Sequence, residues 1–216
     1  MESVGDLTWA NTALISMTTF FATVSPVHVA VSFAALTATS SPTERRVQAV
    51  RGFLIATVVL LIFAFFGGSL LKYMGISLPA LRTAGGVLLF LIAIDLVFSR
   101  NSGGTTTTDD ENREAEKKTD ISVFPLATPL IAGPGAIGAA ILLFADVTGN
   151  VAAQSAVIGG MLVVLVITLF SVLAAAQVQR MLGVTGLNVI SRVMGILLAA
   201  LAVQFVFDGI AQSGLI

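Results

Sequence analysis

The 216-residue sequence has no cysteine, one histidine, one tryptophan and few charges. Without cysteine there is no disulfide, no thiolate metal ligand and no thiol nucleophile. One histidine beside scattered acids leaves little from which to assemble a metal site. Charged residues make up 11% of the chain, against roughly a quarter in an ordinary soluble domain. A net charge of -1 gives no electrostatic footprint for nucleic acid, so no such partner is expected. The N-terminal residues Met1 to Asp6 have no basic n-region and no cleavage pattern, and the first apolar segment is expected to act as the insertion signal itself.

Apolar sequence is abundant, at 56% of residues. A membrane span needs about 20 such residues. Six segments qualify, at about 10–38, 48–71, 78–99, 121–146, 152–178 and 187–211. Between them, Pro42 to Arg46 reads as a short polar loop with Ser41 suited to capping a helix. Gly75 to Pro79 and Asp146 to Asn150 read as turns, and Arg180 to Asn188 leads into the sixth segment. Residues 100–120 carry glycine, threonine and a charged run that cannot bury enough apolar surface to fold alone. They read as a flexible cytoplasmic linker joining one half, 1–99, to another, 121–216. Nine of the eleven Lys and Arg residues fall in or beside the connections after segments one, three and five; Lys72 and Arg82 are the exceptions. That bias predicts a multi-pass protein of the cell membrane with both termini outside.

Helix breakers are concentrated in two places. Pro125, Pro129, Gly133, Pro134 and Gly135 interrupt the fourth segment, and Ser25-Pro26 interrupts the first. Broken backbone at membrane depth persists only where protein or a water-filled cavity covers it. The two halves also align. Residues 21–26 lie over 124–129, matching Ser25-Pro26 with Thr128-Pro129, and residues 85–98 lie over 194–207, matching Gly86 with Gly195. Three spans per half would insert the second half upside down relative to the first. Inverted repeats with matching interruptions point to a secondary transporter whose site lies near the midplane. Half-helix ends at the breaks can hold a carboxylate at the N–H side and an ammonium or cation at the carbonyl side. The expected fold is therefore an all-α membrane protein of six helices in two inverted three-helix repeats, helices one and four being broken.

Phe124 to Ile137, Arg82 to Gly86 with Asp95, and Ser191 to Gly195 with Gln204 and Asp208 to Ile210 together resemble the MarC family of prokaryotic membrane proteins. The likeness covers essentially the whole chain except the linker. It implies a six-span integral membrane protein, and some members, of the SnatA type, carry small neutral amino acids such as glycine and alanine. Members usually have Asn-Pro in the first span, followed by Gly, Asn and a second Pro. This chain has Ser25, Pro26, His28, Val29 and Val31 at those places.

The residues expected to bind substrate are Ser25, Pro26, His28, Thr128, Pro129, Gly133, Pro134 and Gly135. Each also has a plainer reading. The hydroxyls of Ser25 and Thr128 can bond back to their own helices, Pro26 can be a simple kink, and His28 can fill the space that a glycine leaves. Asp95, an acid inside a span, and its repeat mate Gln204 are candidates for ion or proton coupling; Asp95 can instead meet Arg100 at the interface. No cofactor is expected beyond a coupling ion, Na+ or H+. The expected partners are the lipid bilayer and a small neutral amino acid, and a homo-oligomer is compatible with this reading. The alternatives are an exporter of another small metabolite and a passive channel. No paired acids or nucleophile constellation supports an enzyme.

Overall fold

The computed structural model describes residues 9–37, 40–98 and 120–214, and among these it is helical without strands. The first apolar segment is two helices, α1 (Trp9–Val24) and α2 (Pro26–Leu36), divided at Ser25. Next come α3 (Pro42–Tyr73) and α4 (Leu78–Phe98). The fourth segment is an interrupted coil, α5 (Ser122–Ile131), followed by α6 (Pro134–Asp146), the two bent by 58°. The chain ends with α7 (Val151–Leu173) and α8 (Ala175–Gln212). Among the described residues four stretches are long and apolar enough to cross a membrane, namely Trp9–Ala34 (α1 with α2), α3, α7 and Gly195–Gln212 of α8, and the bent α5–α6 pair makes a fifth crossing if it counts as one span; Leu78–Ile94 of α4 is a shorter apolar helix.

Local chemistry sets the boundaries. The Ser41 hydroxyl accepts from Glu44 N–H (3.3 Å) while the Glu44 carboxylate accepts from Ser41 N–H (2.8 Å), a reciprocal cap with Pro42 at the first helical position. Pro42 to Arg46 is consequently the first turn of α3 and not a loop. Gly75, at φ 70°, turns the chain, and the Ser77 hydroxyl accepts from Ala80 N–H at the start of α4. The Asn150 side chain caps α7 through Ala153 N–H (3.1 Å). Contrary to expectation, the fifth segment ends at Leu173, and 180–188 is helical within α8. Gln, Arg, Met and Leu are strong helix formers there, and glycines alone do not end a helix. The linker 100–120, apart from Asp120, lies outside the described residues.

Small residues form the seams. The buried face of α3 is Gly52, Ala56, Leu60, Ala64 and Gly67, while Leu54, Val58, Ile62, Phe65 and Phe66 are exposed. This arrangement, large apolar side chains outward and close-packing residues inward, is that of a helix solvated by lipid. A β-carbon on Gly52 would lie 2.5 Å from Leu126, and one on Gly67 2.5 Å from Ile141, so α5 and α6 run parallel along α3. Likewise α1 runs parallel to α7: Trp9 Nε1 donates to Ser155 Oγ (3.2 Å), Ser16 Oγ donates to the Val157 carbonyl (3.1 Å), and Gly160 abuts Ser16.

The α4–α8 pair is antiparallel and its contact is reciprocal. A β-carbon on Gly86 would meet the Ala202 carbonyl oxygen at 2.7 Å and Val206 at 2.8 Å. One on Gly195 would meet Val97 at 2.8 Å and the Ala93 carbonyl oxygen at 3.0 Å. In the alignment of the halves Gly86, Ala93 and Val97 correspond to Gly195, Ala202 and Val206, so each helix offers the other the same surface. Both glycines serve close packing.

Candidate functional site at the two helix breaks

Ser25 adopts φ 51°, the left-handed region that costs a non-glycine residue about 1 kcal/mol or more. The backbone bonds bridging this break run from Ser25 N–H to Phe21 (3.0 Å) and from Val29 N–H to Ser25 (3.1 Å). Pro26 has no N–H, so the Ala22 carbonyl lacks the donor four residues on, and α1 ends in orphan carbonyls.

In α5, Phe124 (φ −131°, ψ 125°) and Thr128 (φ −134°, ψ 126°) are extended, and both peptide bonds into Pro125 and Pro129 are cis. The remaining bonds span five residues, from Leu126 N–H to Ile121 (3.1 Å) and from Ala132 N–H to Ala127 (2.8 Å). Gly133 then caps α6 with Pro134 at its first position. A β-carbon on Gly133 would lie 2.6 Å from the Pro129 carbonyl oxygen, so the re-entry into helix requires glycine.

The two breaks meet. One cavity is lined by Ala22, Thr23, Val24, Ser25 and His28 from the first and by Pro129, Leu130, Gly133 and Gly135 from the second, with Ile92 of α4 closing it. Its volume, counted as the space open to the centre of a water-sized sphere, is about 10 Å³, enough for about one water. None of these residues carries a full charge apart from what His28 could take up. The polarity comes from the carbonyl end of α1 and from the N–H ends of α2 and α6. His28 Nε2 is buried here and has no hydrogen-bond partner among the described residues.

Five of the eight expected binding residues, Ser25, His28, Pro129, Gly133 and Gly135, therefore line one space. Pro26 adjoins it. Thr128 does not line it, and its hydroxyl donates to the Val123 carbonyl (3.4 Å). Pro134 starts α6 with its ring exposed. Gln204 is exposed and donates to Asp208 (2.8 Å), away from the cavity. The Asp95 side chain and Arg100 lie outside the described residues. Sequence reasoning missed Ala22, Thr23 and Val24, which the carbonyl lost opposite Pro26 could have pointed to, Leu130 beside the second break, and Ile92, which nothing local marks.

It also missed a polar cluster at one end of the bundle. Arg82 on α4, only 8% exposed, donates to Asp146 at the end of α6 and to Gln212 Oε1 at the end of α8 (2.6 Å). At the opposite end Arg51 on α3 meets Asp120 (2.5 Å), with both side chains largely in solvent.

Residues 11–213 match the sequence pattern described as MarC family integral membrane protein. A UPF0056 membrane protein of Archaeoglobus fulgidus is 38% identical over 200 residues, covering 91% of each chain. The UPF0056 membrane protein YvbG of Bacillus subtilis is 35% identical, covering 88% of this chain and 90% of its own. YhcE of Escherichia coli is 34% identical, covering 88% and 87%. No solved structure matches. With the match running through nearly the whole chain and its relatives covered almost end to end, this protein belongs to the MarC family of integral membrane proteins.

Proposed function

We propose that the chain is a secondary transporter, not an enzyme, which carries small neutral amino acids by alternating access. Its architecture in this reading is six spans in two inverted three-helix repeats, within the cell membrane and with both termini outside. The observation that carries the proposal is the convergence of both proline-broken segments, one from each half, on a single uncharged cavity. A zwitterion suits such a place: its carboxylate is matched by half-helix N–H ends and its ammonium by half-helix carbonyls, while a net-charged cargo would lack a counter-charge. The reciprocal Gly86 and Gly195 contacts support the inverted relation, because an antiparallel pair with exchanged surfaces has a two-fold axis across the helices. The parallel pairs α1 with α7 and α3 with α5–α6 run in the directions that six alternating crossings require.

A cavity the size of a single water is too small for any amino acid, so its walls must part during the cycle. A conformation this tight also favours alternating access over an open passive channel. The test is counterflow in proteoliposomes with glycine, alanine, serine and threonine, varying sodium and pH separately to find the coupling ion. Saturable, stereoselective exchange is expected. If folded protein moves none of these under either gradient, the cargo assignment fails.

A further inference from the structure

We infer that Arg82 is a positioning residue which latches one end of the transport pathway shut, with Asp146 as the partner it must release. This inference rests on the transporter reading above. Two of the cavity's walls, α4 with Ile92 and α6 with Gly135, also meet each other, since a β-carbon on Gly135 would lie 2.7 Å from Leu89. From there both helices run to the same end of the bundle. Ten or eleven residues of helix, about 15–17 Å, separate the cavity from the point where Arg82 holds Asp146. Parting α4 from α6 at that end opens the shortest route between them to Ser25 and His28.

Among the described residues, the ion pairs Arg82–Asp146 and Arg51–Asp120 are unequal. Arg51 and Asp120 are 59% and 46% exposed, and such a pair holds little. Arg82 is buried, so separating it from Asp146 takes the charge partner from a desolvated guanidinium and leaves it Gln212 and the neighbouring acid Asp208. The described conformation is thus held at the Arg82 end, the end that the Lys and Arg distribution assigns to the outside. The glycine seam keeps α4 against α8, which makes the bond to α6 the one that breaks. Gln212, carried on α8, stays with Arg82 and receives it while the latch is open. The conformational change needs no rearrangement within either helix.

The cysteine-free sequence permits a direct test. A single Ser25→Cys reporter is placed in the cavity wall, and its reaction with a small water-soluble maleimide is timed on protein in lipid nanodiscs. Asp146→Asn is expected to speed labelling by about tenfold or more, each tenfold corresponding to about 1.4 kcal/mol of lost closure. Arg82→Lys, which keeps the charge and loses the fork, gives a smaller increase. The exchange Arg82→Asp with Asp146→Arg restores slow labelling. Unchanged labelling in Asp146→Asn, or an exchanged pair that labels as fast as Asp146→Asn alone, overturns the inference. If Asp146→Asn does not fold, as judged by helical content and a monodisperse elution profile, Arg82→Lys against the exchanged pair decides in the same way. No cargo is present, so failure of amino-acid counterflow leaves the latch result standing, and failure of the latch leaves the counterflow result standing.

Discussion

Adding one methyl group to the α4–α8 seam tests the reciprocal packing quantitatively. Gly86→Ala brings its β-carbon to 2.7 Å from the Ala202 carbonyl oxygen and 3.0 Å from Val206 N; Gly195→Ala brings its own to 2.9 Å from Val97 N and 3.0 Å from the Ala93 oxygen. These are backbone atoms of the facing helix, which no rotamer change can move aside. Restoring ordinary contact requires the helices to separate by about 0.7 Å, and overpacking of this kind costs about 1–3 kcal/mol. Against this, Gly→Ala recovers about 1 kcal/mol of helix propensity. The net loss is roughly 0–2 kcal/mol for each variant. Because one separation relieves both clashes, the double variant should fall short of the sum by one overpacking cost, about 1–3 kcal/mol. Two controls share the chemistry without the clash. A β-carbon on Gly85 has its nearest neighbour at 3.8 Å and one on Gly138 has none within 4 Å, so Gly85→Ala and Gly138→Ala should be neutral or stabilising. Denaturant unfolding in a defined micelle, followed by helical content, measures all five. A Gly86→Ala variant stabilised as much as Gly85→Ala, or a strictly additive double variant, refutes the reciprocal seam.

Three further outcomes are expected. Ser25→Asn places in the left-handed position a residue that tolerates it better, and should raise stability by about 0.5–1 kcal/mol in the same unfolding assay. His28→Leu removes, at similar volume, a buried nitrogen that has no partner among the described residues; stability should hold or rise by about 1 kcal/mol while saturable counterflow is lost. The Ser122 hydroxyl and N–H beside Asp120, together with Arg51, hold its carboxyl below the usual carboxylate range. A folded-state value lowered in this way contributes stability above the unfolded value of about 4, and the contribution vanishes as pH falls through the folded value. Because both partners are exposed the effect is under about 1 kcal/mol, and Asp120→Asn should slightly lower the melting temperature at pH 7 and flatten its decline in acid.

The all-helical class, the apolar helices and their interruptions were legible because hydropathy and proline act locally. Pro26, Pro129 and Pro134 mark lost N–H groups wherever they occur, and the matched Gly86 and Gly195 proved to be a matched contact. The first turn of α3 was misread as a loop because Glu44, Arg45 and Arg46 look solvated, although Ser41 already signalled the cap. The connection before the sixth segment looked like a break because Arg180 and Asn188 interrupt the hydropathy, yet neither interrupts a helix. Arg82 was unreadable for another reason. Its partners lie 64 and 130 residues away, and nothing near Asp146 or Gln212 in the sequence announces a buried cation. Ile92 was hidden in the same way, as one apolar residue among many until tertiary contact selected it.

The length of α3 gives the molecule a ruler. From Arg51 to Lys72 the helix rises about 31 Å, close to the roughly 30 Å of a bilayer's hydrocarbon. Charged residues at both ends of that interval resist being drawn inward, so α3 fixes the depth of everything packed on it. The turns before Arg51 extend about 13 Å beyond the hydrocarbon. From Asp146 at the far end, α6 descends about 18 Å, which sets Gly133 and the cavity near the middle. A thinner membrane must tilt this ruler, and Gly52 against Leu126 and Gly67 against Ile141 would pass the tilt straight to α5 and α6. Bilayer thickness thereby becomes a mechanical input to the break that walls the cavity.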